Sequence, residues 1–300
     1  MKKITVAGSF PFTDEQKSRL EALGEVKTVS GYSSPEEWLA AVEGSDVILS
    51  DGDYLLENLE NLENVFVTYH YIELGPFDSE KLKAKGVYVA NAQSGNRNSI
   101  TEWTIFITLS LFRKFPLYLR TTVSHEFVRH PSLEGKKVLI VGKGSIGSGV
   151  GDVLTVLKMD VDYFVRGDDL KKKAADADLV VNALNCNSSS KNLLDKDFFV
   201  SLKPGSYYVT FARPYTYDID GVIESINSGI LEGAGIDCDP EPLFDVTNDF
   251  YQKCLKNEKI LVTPHVAGIT KEAGKNGIEI AVQNVEAFLK GSPQNILTKT

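Results

Sequence analysis

The stretch Lys137–Arg166, KVLIVGKGSIGSGVGDVLTVLKMDVDYFVR, constrains the fold more than any other part of the chain. Val138 to Val141 form an apolar run, Gly142-Lys143-Gly144-Ser145-Ile146-Gly147 follows, and a mostly apolar segment leads to a second run, Val161–Val165. This order reads as strand, glycine turn, helix, strand. The G-x-G-x-x-G spacing gains its meaning from that context. Gly142 permits the sharp turn, Gly144 lets a dinucleotide pyrophosphate approach the backbone, and Gly147 lets the helix lie against the sheet. Ser145 and Ile146 open the helix, whose N-terminal N–H groups and partial positive charge suit phosphate.

A chain of 300 residues suggests two domains, each with its own core. Hydrophobic content of 42% and charged content of 24% are those of a globular protein. The net charge of −9 and the lack of a dense basic stretch argue against a nucleic-acid or anionic-membrane surface. No apolar run reaches membrane-spanning length. Met1-Lys2-Lys3 runs straight into a short strand, so no signal peptide is expected. The three cysteines, Cys186, Cys238 and Cys254, give no metal spacing and suit a reducing cytoplasm.

Residues 1–93 alternate strand candidates (Ile4–Gly8, Val26–Val29, Val47–Ser50, Val65–Tyr69, Val87–Ala90) with helical stretches. Thr13 with Gln16 reads as a capping box, Ser34-Pro35 as a helix start, and Asp78 as a cap. The alternation implies a parallel sheet covered on both faces. Ser99–Lys114 reads as a long helix, apolar over more than one stripe and expected to be buried between domains or subunits. His125 and His130 are wrongly spaced for a metal pair on one helical face and read as surface residues. No metal site is expected.

Beyond Val165, further buried-strand runs are Leu179–Ala183, Tyr207–Phe211, Gly233–Asp237 and Lys259–Val262, completing a dinucleotide-binding doubly wound sheet. Ligands of such sheets sit outside the carboxyl ends of the strands. Asn185, Arg213, Asp237 with Glu241, and His265 follow those ends. A final helix, Lys271–Lys290, is expected to return to the first domain. The domains are therefore a flavodoxin-like substrate domain, residues 1–95 plus 272–300, and an inserted Rossmann cofactor domain, residues 96–271. The class is α/β with two doubly wound parallel sheets.

An arginine, a glutamate and a histidine at one sheet edge suit hydride-transfer chemistry. A guanidinium can hold a 2-oxo acid at two points. A histidine with an ordinary pKa of about 6.5 can give or take the hydroxyl proton. A neighbouring carboxylate orients the ring and favours imidazolium.

The glycine fingerprint, Ala212-Arg213, Asp237 with Glu241-Pro242, and Pro264-His265-x-Ala-Gly268 together resemble the D-isomer-specific 2-hydroxyacid dehydrogenases. That family includes lactate, glycerate, phosphoglycerate and formate dehydrogenases and glyoxylate/hydroxypyruvate reductases. The resemblance implies that Arg213, Glu241 and His265 are the catalytic set and that Asp237 lies near the nicotinamide carboxamide. It implies cofactor contacts from Gly142, Gly144, Ser145, Ile146, Gly147, Ala212, Asp237 and Gly268; Asn185 joins them as a polar residue just past a strand end, and Arg166 from its place after the second strand of the fingerprint unit. It implies substrate contacts from His70, Tyr71, Ile72, Arg213 and His265. It also implies a homodimer built on the helix that includes Glu102.

Three places depart from the family pattern. The expected glycine turn after the fourth strand reads His70-Tyr71-Ile72-Glu73-Leu74-Gly75. Pro214 follows the arginine where the family has glycine, and removes a backbone donor. Val165-Arg166 replaces the acidic residue that would bind the adenosine ribose. The loss of that acid and the gain of a cation favour NADP over NAD. The overall expectation is a cytoplasmic NAD(P)-dependent oxidoreductase acting on a small 2-oxo or D-2-hydroxy acid of the glyoxylate, hydroxypyruvate or glycerate type. The alternative is a catalytically weak nucleotide-sensing regulator on the same fold.

Overall fold

Short runs of valine, isoleucine and leucine with side chains alternating between two faces build parallel strands only if both faces are covered. The computed structural model describes residues 1–72, 74–75, 77–115, 118, 129–239 and 244–298, and shows that arrangement twice. One unit comprises Met1–Asn96 with Thr270–Thr300; the other is Arg97–Ile269.

In the first unit, strands β1 (Lys2–Ala7), β2 (Gly24–Val29), β3 (Val47–Ser50), β4 (Phe66–Tyr69) and β5 (Tyr88–Ala90) form a parallel sheet in the order β2-β1-β3-β4-β5. This is the flavodoxin-like order. The two-residue period assigns its core. Ile48, Val67 and Tyr69 pack with Trp38, Leu55 and Leu82 on one face, whereas Val47, Leu49 and Phe66 pack with Ala281, Val282 and Val285 on the other. Each fully buried aliphatic side chain of this kind stabilises by about 1.5–3 kcal/mol. The helix Lys271–Leu289 supplies the second face. Its buried Asn284 donates to Thr68 Oγ1 (3.1 Å) and the Asn91 carbonyl (2.9 Å) and accepts from Asn295 Nδ2 (2.8 Å). The Thr13–Gln16 capping box forms, and Ser34 and Asp78 cap their helices.

The second unit orders β6 (Lys137–Val141), β7 (Asp160–Phe164), β8 (Leu179–Asn182), β9 (Ser206–Thr210), β10 (Leu231–Cys238) and β11 (Ile260–Pro264) as β11-β10-β9-β8-β6-β7. The chain reverses its direction of travel between β6 and β8. Between β7 and β8 the chain forms the short helix Leu170–Ala174, so among the described residues no strand lies outside β7, where a dinucleotide sheet of order 3-2-1-4-5-6 carries one. Alternation again divides the core: Leu139, Val141, Val180 and Tyr208 face one side, and Val138, Ile140, Val181 and Val209 the other.

The helix Arg97–Phe112 belongs to this second unit and packs closely there. A Cβ on Gly235 of β10 would lie 2.1 Å from Ile107 Cγ2, and one on Gly149 would lie 3.0 Å from Thr101 Oγ1. Thr104 and Thr108 are buried, while Phe106 is 60% exposed and Leu109 39%. The apolar excess seen in the sequence therefore divides into a packed face and an open face. His125 lies outside the described residues; His130 is partly buried, with Nε2 2.6 Å from the Tyr118 hydroxyl. No helix among the described residues is long and apolar enough to cross a membrane, and no cluster there is suited to a metal ion.

Candidate active site

The glycine turn after β6 makes close contacts that explain its composition. Gly142 has φ +113°, and a Cβ there would meet the Ala183 carbonyl oxygen at 2.5 Å. A Cβ on Gly147 would lie 2.0 Å from the Gly142 carbonyl oxygen, so the first helical turn lies directly on the end of β6. At Gly144 a Cβ would meet nothing within 4 Å: the space there opens outward. Gly144 is the N-cap of the helix Ser145–Val156 and provides no side-chain cap to its N–H groups. Ile146 is partly buried. Lys143 adds a cation, its Nζ 4.7 Å from the centre of the Tyr163 ring. A helix end without a side-chain cap, with a backbone open to approach and a lysine beside it, fits a dinucleotide pyrophosphate.

Other residues named for the cofactor lie on the same unit. Arg166 follows β7 and donates from Nη2 to Ser189 Oγ at 3.0 Å. The Val165 N–H donates to Asp168 Oδ2 (3.1 Å), and Lys173 pairs with the same oxygen (3.0 Å). These contacts, led by that with Lys173, hold the Asp168 carboxyl below its ordinary pKa. Asn185 is exposed in the loop after β8, where its carbonyl accepts from Ser190 Oγ at 2.6 Å.

Arg213, Asp237 and His265 follow or end the neighbouring strands β9, β10 and β11. Ala212 is buried, its N–H donating to Thr210 Oγ1 (3.1 Å). Arg213 has extended backbone angles, as a residue before proline prefers, and Pro214 opens a 3-10 turn, Pro214–Thr216. The turn is fixed from within. Buried Asn182 donates to the Tyr208 hydroxyl (3.1 Å) and Thr216 Oγ1 (3.0 Å), and Thr216 Oγ1 donates to the Arg213 carbonyl (2.9 Å). Pro214 thus removes a donor but sets the turn that carries the arginine.

His265 has φ +60°, a left-handed conformation that costs a residue with a Cβ about 1–2 kcal/mol. The buried Asp237 carboxylate offsets this. It accepts from the Val266 N–H (2.9 Å), the Ala267 N–H (2.8 Å) and Thr263 Oγ1 (2.5 Å). Burial pushes the Asp237 carboxyl up, against those three donors. Both Asp237 oxygens therefore hold the histidine loop, with Gly268 just beyond it.

A residue not singled out from the sequence joins the set. Asp239 Oδ2 lies 2.5 Å from Arg213 Nη1, and Oδ1 lies 2.9 Å from His265 Nδ1. The Asp239 side chain is 8% exposed, whereas those of Arg213 and His265 are each 35% exposed. Its contact with Asp239, opposed by burial, holds the His265 imidazole above its ordinary pKa. Burial pushes Asp239 up, but His265 and Arg213 outweigh it and keep the carboxyl below its usual value. Glu241, the carboxylate named from the sequence, lies outside the described residues.

The model for the NAD binding domain of D-isomer specific 2-hydroxyacid dehydrogenases matches residues 105–267. The chain belongs to that family. D-lactate dehydrogenase of Staphylococcus aureus is 29% identical over 228 residues, covering 68% of this chain and 69% of the relative. D-3-phosphoglycerate dehydrogenase of Haemophilus influenzae is 29% identical over 301 residues, covering 88% and 71%. Among solved structures, a glyoxylate reductase from Paecilomyes thermophila superposes with a TM-score of 0.81 at 17% identity, covering 99% of this chain and 98% of that one, a likeness of fold. The two parallel-sheet α/β domains are those of the D-2-hydroxyacid dehydrogenase fold.

In the first unit the turn after β4 is held by its own neighbours. The Ala92 N–H donates to the Tyr71 carbonyl (2.9 Å) and Asn91 Nδ2 to the Ile72 carbonyl (2.6 Å). A Cβ on Gly277 would lie 2.2 Å from the His70 carbonyl oxygen. The His70 ring lies tilted by 39° against that of Tyr71, ring centres 3.9 Å apart, and burial lowers the His70 pKa. Glu73 lies outside the described residues.

Proposed function

We propose that this chain reduces a small 2-oxo acid to its D-2-hydroxy acid, or runs the reverse reaction, with a nicotinamide dinucleotide. The observation that carries this is the Arg213–Asp239–His265 arrangement at adjacent strand ends, on the sheet whose β6 leads into the glycine turn. The turn at Gly142, Gly144 and Gly147 and the helix starting at Ser145 would hold the pyrophosphate, with Arg166, Asn185 and Ala212 completing the cofactor side. A nicotinamide bound there supplies or accepts the hydride at C2 of the acid. Arg213 binds the substrate carboxylate and polarises its carbonyl. Protonated His265 donates its Nε2 proton to the developing alkoxide, and the neutral ring takes that proton back in oxidation. Asp237 keeps the histidine loop in place. His70, Tyr71 and Ile72 are proposed as substrate contacts on the family resemblance.

Glyoxylate, hydroxypyruvate or glycerate is the proposed substrate type, and NADP(H) the preferred cofactor. Support for NADP(H) comes from Arg166 beyond β7 and from an Asp168 carboxylate already engaged with Val165 and Lys173. A cytoplasmic setting suits Cys186, Cys238 and Cys254, none of which is in a disulfide. Initial rates with NADPH and NADH, run in parallel over glyoxylate, hydroxypyruvate, pyruvate and longer 2-oxo acids, test it. Fast turnover of one acid, more efficient with NADPH, is expected. Equal or better efficiency with NADH overturns the cofactor choice. Tight cofactor binding without turnover of any acid points to a nucleotide-sensing role.

A homodimer is proposed through the open face at Phe106 and Leu109. Phe106→Asp is expected to shift the sedimentation coefficient from dimer to monomer at micromolar concentration, because a desolvated charge at an apolar interface is costly. An unchanged coefficient places the interface elsewhere.

A further inference from the structure

We propose that Asp239 is the positioning residue of this active site, one carboxylate that orients both the proton-transferring His265 and the substrate-binding Arg213. The inference rests on the function proposed above and names how its two working side chains are held.

Three acids are close in sequence, Asp237, Asp239 and Glu241, and the structure describes the first two. Along an extended chain, residues two apart point to the same face. Asp237 is near the end of β10 and Asp239 lies just past it, so both face the His265 loop, and they divide the work. Asp237 holds backbone, through the Val266 and Ala267 N–H groups. Asp239 holds side chains, one oxygen toward Arg213 Nη1 and the other toward His265 Nδ1.

The burial gradient gives this arrangement a direction. The shared carboxylate is 8% exposed, and its two partners are 35% exposed. It therefore lies behind them, and they present their outer parts to solvent. A buried carboxylate needs partners to remain ionised. Here both partners are groups that the reaction needs. A carboxylate oxygen 2.9 Å from Nδ1 favours a proton on that nitrogen and leaves Nε2 to exchange protons with substrate. An ordinary surface ion pair would show neither the burial nor the second partner.

Asp239, Asp237 and Arg213 are the charged described groups that act on His265. Asp239 dominates and favours imidazolium; Arg213 opposes it. Reduction uses the imidazolium. Removing the Asp239 charge should bring the pH at which reduction fails on the alkaline side downward.

The test is Asp239→Asn, with Asp239→Glu and Glu241→Gln beside it. Folding is checked by circular dichroism. Asp239→Asn is expected to lower reductive turnover by up to about 10⁴-fold, the loss seen when the aspartate behind a triad histidine becomes asparagine. It should also raise KM, because Arg213 loses its anchor, and move the alkaline limb of the pH profile downward. Asp239→Glu should return the limb toward the wild-type position. A merely structural role would lower activity without moving the limb.

The imidazole NMR titration of His265, assigned by its loss in His265→Gln, gives a readout independent of turnover. Its midpoint should fall in Asp239→Asn. An unmoved limb and an unmoved titration in that variant overturn the inference, most directly if Glu241→Gln moves both. Failure of the wild type to reduce any 2-oxo acid would sink the proposed function, while the titration would still decide the role of Asp239.

Discussion

His265→Gln should lower the rate of 2-oxo acid reduction by about 10²–10⁴-fold while leaving cofactor affinity nearly unchanged. That range is the usual worth of a positioned general acid. Glutamine keeps a polar side chain but has no exchangeable proton with a pKa near neutrality. The loop itself should survive, because its left-handed backbone at position 265 is fixed by Asp237 through the next two N–H groups rather than by the ring. Single-turnover rates with saturating cofactor separate the two effects. The residual rate should also lose the alkaline limb that imidazolium imposes. Since Asp239 holds His265 above its ordinary value, that limb in the wild type should lie above the unperturbed pKa of about 6.5. A variant with wild-type turnover would remove His265 from the chemistry.

Much of this was legible in the sequence because it rests on short-range rules. Alternating apolar runs gave the parallel strands, since buried parallel sheets select β-branched residues on both faces. The three fingerprint glycines were legible because each is required by a contact that a Cβ would break. Thr13, Ser34 and Asp78 announced their helices through local capping chemistry. Arg213 and His265 stand out in the sequence because ligands of such sheets gather at carboxyl strand ends, and the fold puts both just past the neighbouring strands β9 and β11.

Other features depend on partners distant in sequence. Asp239 does not stand out in the sequence, because nothing local says that its side chain turns toward a histidine on the next strand. The signal available was the two-residue spacing from Asp237. The left-handed backbone of His265 was equally hidden, because the donors that stabilise it become apparent only when β10 and β11 lie side by side. The Asp168 carboxylate is a third case. The sequence showed no acid at the end of β7, yet the chain folds one back onto the Val165 N–H. Whether it repels a 2′-phosphate depends on its pairing with Lys173.

Arg213→Gln is the second substitution of large effect, and it separates binding from proton transfer. Loss of a two-point, charge-assisted contact to a carboxylate is worth about 1.5–3 kcal/mol per hydrogen bond, so kcat/KM should fall by about 10²–10⁴-fold. Much of the loss should appear in KM, because the substrate carboxylate is held in ground and transition states alike. Lysine should rescue only part of it, since a point charge cannot reproduce the planar fork. The pH profile carries the sharper test. Arg213 disfavours imidazolium at His265, whereas Asp239 favours it. Removing the guanidinium should therefore move the alkaline limb upward, opposite to the shift expected for Asp239→Asn. The turn itself should persist, because Pro214–Thr216 is anchored through Thr216 to Asn182 rather than through the arginine side chain. Opposite limb shifts from two substitutions that both depress activity would identify an arginine and a histidine coupled through one carboxylate. Shifts of the same sign would mean that the two side chains respond to a general loosening of the strand ends.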